Sequence, residues 1–151
     1  MANTQAMCTS FKGELLTGTH NFGTGVVRAS TAADSFKAAL YLSSATINAA
    51  TTAYTATGEV TGTNYSAGGV AVSGWNAPTT SGTTGYTTPS ASISYTTVTL
   101  TTAFNCVLIY NSTQSNKAVS VHTFGDQTVT AGTFTLTMPT NDASNALIRL
   151  A

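Results

Sequence analysis

The chain predicts an all-β fold: an antiparallel β-sandwich or a jelly-roll or barrel-like single domain over residues 1–151, with a short N-terminal helix. Three observations lead there. Threonine is the commonest residue, and Val, Ile, Tyr and Phe supply most of the other stiff side chains, which suit a pleated, half-buried surface. Short runs of alternating apolar and polar residues recur between turn residues, at the roughly 8–12-residue spacing of sandwiches and barrels. The chain is 42% hydrophobic with zero net charge, enough to fill one core and unlike the composition of a disordered segment.

The helix is predicted over 3–17. Met7, Phe11 and Leu15 recur every four residues with Cys8 and Leu16 beside them, Asn3 or Thr4 can cap the start, and Gly18 suits the stop. Phe36 to Leu42 alternates with strand period, and a helix over 32–42 ranks second. Val70 and Val72 make a short alternating run. Ile93 to Thr102 is uncharged and strongly β, and Phe104 to Tyr110 is apolar almost throughout, as in a strand buried on both faces. The polar Asn111–Asn116 stretch predicts a hairpin returning along Ala118 to Phe124. Two further strands are predicted at Phe134 to Met138, ended by Pro139, and at Ala146 to Leu150. Thr51 to Ala67 reads as less ordered. Residues 75–92, with Pro78, Pro89, Gly82 and Gly85, read as a long loop or an arm that orders on a neighbour.

Charge is the sharpest signal. Only 7% of residues are charged and none lies between Glu59 and Lys117, against roughly 25% in an ordinary soluble domain. A free monomer normally presents a mixed, charged surface; Thr, Ser, Gly, Ala and Asn suit close contact with other protein. The five Lys and Arg are scattered singly, which argues against nucleic acid as a partner. No run approaches the ~18 apolar residues of a membrane helix, and residues 1–8 carry no signal-peptide pattern. Cys8 and Cys106 give no disulfide framework, and their pairing stays open.

No catalytic, cofactor or metal signature stands out. His20 and His122 lack zinc-site spacing, and Glu14, Asp34, Glu59, Asp126 and Asp142 lie far apart along the chain. Gly23-Thr24-Gly25 reads as a turn, for want of the lysine and helix of a phosphate loop. A small wall hydrolase is therefore the weakest reading. Phe11, Leu15, Trp75 and Tyr86 are the candidate interface anchors. Trp75, Tyr65 and Tyr86 in polar loops leave a carbohydrate-binding or host-attachment module as an alternative, provided that they share one exposed face.

Three stretches form a set: Phe11-Lys12-Gly13-Glu14-Leu15-Leu16 with His20-Asn21-Phe22; Phe36 to Thr46 with Thr52-Ala53-Tyr54 and Glu59-Val60; and Leu108-Ile109-Tyr110-Asn111-Ser112 with Ser115 to Val119. Together they resemble small, mostly uncharacterised structural proteins of tailed bacteriophages, over nearly the whole chain. The resemblance implies a virion component, assembled in the bacterial cytoplasm, more than a position within the virion; the leading reading is a non-enzymatic protein that decorates or cements the capsid shell. Its partners would be the major capsid protein or other virion proteins and further copies of itself, with a trimer expected from shell symmetry. A tail or head–tail junction ring subunit is the runner-up.

Overall fold

The computed structural model describes residues 3–8, 11, 15, 19–20, 22, 33–82 and 84–150. Eight strands follow in order: β1 Ala6–Met7, β2 Phe36–Leu42, β3 Val70–Val72, β4 Thr79–Ser81, β5 Thr84–Thr87, β6 Ile93–Asn111, β7 Lys117–Leu136 and β8 Ile148–Leu150. They form two antiparallel sheets, one ordered β1-β7-β6-β2-β3 and the other β4-β5-β8. The all-β, sandwich-like expectation is met.

The β6–β7 hairpin is the spine. Its turn is built by Asn111, whose Oδ1 accepts from the backbone N–H groups of Thr113 and Gln114, while Ser115 and Asn116 take the left-handed backbone. The predicted hairpin between the Phe104–Tyr110 run and the Ala118–Phe124 run is present. Each arm continues, however, where the sequence suggested separate strands. Two residues are added on β6 between Leu100 and Phe104, and two on β7 between Cys106's partner Thr123 and Phe104's partner Gln127. Such bulges bend a ladder without ending it, so Gly125-Asp126-Gln127 is a kink rather than a turn.

β2 lies inside the large sheet, and Ala38 to Tyr41 are fully buried rather than half-buried. Where β3 stops, the chain at 58–60 takes over its edge: Val60 N–H donates to Leu40 O, and Leu42 N–H to Gly58 O. The segment 51–67 is therefore pinned, with bridges from Ala53 to Lys117 and Thr63 to Thr99. Gly69 has φ +72°, and a Cβ there would sit 1.7 Å from the Ala38 carbonyl oxygen, so only glycine lets the chain pass so close.

Three expectations are corrected. A helix does not run from Asn3, because Ala6–Met7 pairs with Val121 and Ser120 at the sheet edge. Most of the remaining predicted helix lies outside the described residues; Phe11 and Leu15 have helical backbone, but no helix is delimited. The stretch 75–92 is a hairpin, not a loop: Thr79 pairs with Tyr86 and Ser81 with Thr84, and Trp75 bridges Pro89. Backbone pairing with β8 gives this polar segment the order that its composition does not advertise.

Candidate interface site and polar clusters

The β4–β5 hairpin is anchored by its buried threonines. Thr87 Oγ1 donates to Asn76 O at 2.8 Å, and Thr88 Oγ1 accepts from Leu147 N–H at 2.9 Å. Asn76 closes the neck, its backbone N–H and Nδ2 both donating to Thr88 O. Beneath it sits an aromatic cluster. Phe22 stacks on Phe36 with centroids 5.0 Å apart, Trp75 meets both rings edge-on at 4.9 and 5.3 Å, and Phe11 meets Phe22 and His20. Edge and offset contacts of this kind add stability beyond burial alone.

Beside the cluster the surface opens into an apolar recess of about 300 Å³, with walls that include Leu15, His20, Phe22, Tyr86 and Ile148 and Leu150 at one side. Leu150 is 45% exposed, and no other large hydrophobic of the described residues is exposed to that degree. His20 is buried: Asn111 Nδ2 lies 3.0 Å from its Nδ1 and donates also to Asp34 Oδ2 at 2.8 Å. With Nδ1 accepting, the neutral ring carries its proton on Nε2.

The four anchor residues thus converge on one region with different roles. Leu15 and Tyr86, half-buried, line the recess. Phe11 is fully buried, so it packs its own chain and is not itself presented to a neighbour. Trp75 leans inward on Phe22 and Phe36, its indole N–H buried without a hydrogen bond. Tyr65 lies elsewhere, stacked on Tyr95. Trp75, Tyr65 and Tyr86 therefore do not share an exposed platform of the kind that the carbohydrate reading requires.

The titratable groups are tied into local structure. Glu59 is buried, and its carboxylate accepts from Tyr54 Oη at 2.6 Å, Tyr65 Oη at 2.7 Å and Gly68 N–H at 2.8 Å. Tyr65 Oη also accepts from Leu40 N–H, Tyr95 Oη donates to Ala38 O, and Tyr110 Oη donates to Gly68 O. Burial, reinforced by the Glu59 charge, raises the phenol pKa of Tyr65, Tyr95 and Tyr110, and lifts Tyr54 to about 12. These tyrosines stay neutral at physiological pH: Tyr65 ties the 51–69 segment to β2, Tyr110 ties it to β6, Tyr95 ties β6 to β2, and Tyr54 braces Glu59 within the segment. Asp126 holds Ser43 and Asn105, and Asp142 caps the N–H groups of Ser144 and Asn145. Burial pushes the Cys106 thiol up to about 12; Cys8 and Cys106 are both buried thiols outside any disulfide. Among the described residues no three His, Cys, Asp or Glu converge as metal ligands.

Sequence reasoning passed over the Glu59 cluster, although one lone carboxylate in an otherwise uncharged, tyrosine-bearing stretch was its signal. No protein-family model, curated protein or solved structure matches the chain.

Proposed function

We propose that this is a non-enzymatic structural protein of a tailed-phage virion that decorates the capsid shell and seats on its neighbours through the apolar recess. The supporting observation is the recess itself, rimmed by exposed Leu150 in a chain with few charges to keep partners away. Interfaces concentrate their affinity in such pockets, filled by one large side chain and ringed by neutral contacts. The partner is the major capsid protein at subunit junctions, with copies of this chain grouped by local symmetry. Binding only the mature lattice would stabilise that lattice by linkage. The resemblance of the Phe11–Phe22, Phe36–Val60 and Leu108–Val119 stretches to phage structural proteins favours the same reading.

Co-sedimentation with mature capsid shells tests it. The wild-type chain pellets with shells to saturation, and Tyr86→Ala weakens binding by about 30-fold, a hot-spot loss of about 2 kcal/mol. Leu150→Asp acts in the same direction. Failure of the wild-type chain to bind shells, or unchanged binding by both variants, contradicts the proposal.

A further inference from the structure

A second, chemically different cavity is walled by residues on or beside strands of both sheets, β1 and β7 of the larger and β5 and β8 of the smaller. Here Gln5, Thr84, His122, Asn145 and Arg149 contribute polar groups to a cleft of about 610 Å³. A polar space of that size holds water or a polar ligand rather than staying dry.

Two of its groups have capacity left over. Arg149 is exposed and donates from Nη1 to the carbonyls of Ser144 and Ala143, while Nε and Nη2 have no protein acceptor among the described residues. His122 Nε2 is 2.9 Å from Ser120 Oγ, and its Nδ1 has no hydrogen-bond partner among the described residues. Arg149 is one of only five Lys and Arg in the chain, and among the described residues no other formally charged side chain lines the cleft. Asp142 lies near enough to feel Arg149, but its carboxylate is already committed to Ser144 and Asn145.

We propose that this intersheet cleft binds a small carboxylate-bearing molecule, with Arg149 taking the carboxylate and His122, Gln5 and Thr84 contacting the rest. A guanidinium with adjacent N–H donors matches a carboxylate in the paired, fork-to-fork manner. With the Asp142 carboxylate close to Arg149, the site has no surplus positive charge for a doubly charged phosphate, and a monoanionic carboxylate fits it better. The site is separate from the apolar recess and independent of the decoration proposal.

The test is NMR titration of the full chain, following the His122 ring and the Arg149 Nε–H signal, with acetate, propionate, inorganic phosphate and chloride at matched ionic strength. At least one carboxylate gives saturable shifts of both signals, and chloride does not. Arg149→Gln weakens that binding by about tenfold or more, as expected for losing a charge-assisted pair. Arg149→Lys, which keeps the charge and loses the fork, falls between the two; unchanged core amide signals show that both variants are folded. Non-saturating shifts with every carboxylate, equal binding by Arg149→Gln, or saturation by phosphate alone overturns the proposal.

Discussion

The two halves of the β6–β7 hairpin share a ladder and differ in everything around it. In the near half, Cys106 to Asn111 is buried on both faces, and Ala118 to Val121 opposite is buried as well. In the far half, Ile93, Tyr95, Val98 and Leu100 point inward while Ser94, Thr96, Thr97, Thr101 and Thr102 face solvent, and β7 is at most half-buried from Phe124 to Leu136. The cause is neighbours rather than β-propensity, since both halves are rich in β-forming residues. β2 runs beside Phe104 to Asn111, and β1 caps β7 at Ser120 and Val121. Along the β6 edge of the far half no strand is paired among the described residues; the chain at 63–65 touches it through the Thr63–Thr99 bridge, the Asn64 hydrogen bond to Thr97 O and the stacking of Tyr65 on Tyr95. One element therefore serves as core at one end and as a neutral, threonine-clad surface at the other.

The largest effect expected is in the near half. Leu108→Ala should cost about 4 kcal/mol in urea unfolding, because Leu108 is fully buried where the sheet cannot collapse around a cavity. A cost below about 1 kcal/mol would dissolve the distinction between the halves.

His122 marks the boundary. Burial lowers its pKa to about 4, from an ordinary 6.5. The unfolded chain therefore takes up a proton that the native state refuses, and stability falls as pH drops from 6.5 to 4. The loss reaches at most about 3 kcal/mol. Urea midpoints across that window measure it, and His122→Gln should flatten the slope.

Smaller effects belong to the far half. Ala131 sits at φ +46°, beside the point where β7 carries an extra residue opposite β6. Ala131→Gly relieves that left-handed strain and should stabilise by about 0.5–1 kcal/mol, read in the same unfolding assay. Thr135→Ala, on the solvent face, should change stability by no more than about 0.5 kcal/mol. A larger loss there would mean that the far half is core after all.

The same contrast explains what was legible in the sequence. The nearly continuous apolar run Phe104–Tyr110 announced a strand covered on both faces, and the alternation of Ile93–Thr102 announced a half-exposed one. Phe36–Leu42, Val70–Val72 and the C-terminal strand were readable for the same reason. The β4–β5 hairpin was not: β4 is wholly exposed, and its turn rests on Gly82 at φ +59° within a stretch of Ser and Thr that reads as loop. The apolar four-residue spacing of Met7, Phe11 and Leu15 outweighed the pairing of Ala6–Met7 with β7, which is invisible locally. Of the candidate site, the aromatic anchors were legible as a set, but burial divides them, with Phe11 and Trp75 turned inward and Leu15 and Tyr86 at the recess. The polar cleft joins Gln5, Thr84, His122 and Arg149 from four strand neighbourhoods, and no local spacing encodes that.

We propose that this surface and its recess serve a virion shell, and copy number in purified virions tests that proposal most directly. Quantitative mass spectrometry should find the chain at a ratio to the major capsid protein set by shell symmetry, on the order of hundreds of copies. A count of about a dozen would move it to a tail or neck ring. Absence from virions would contradict the account.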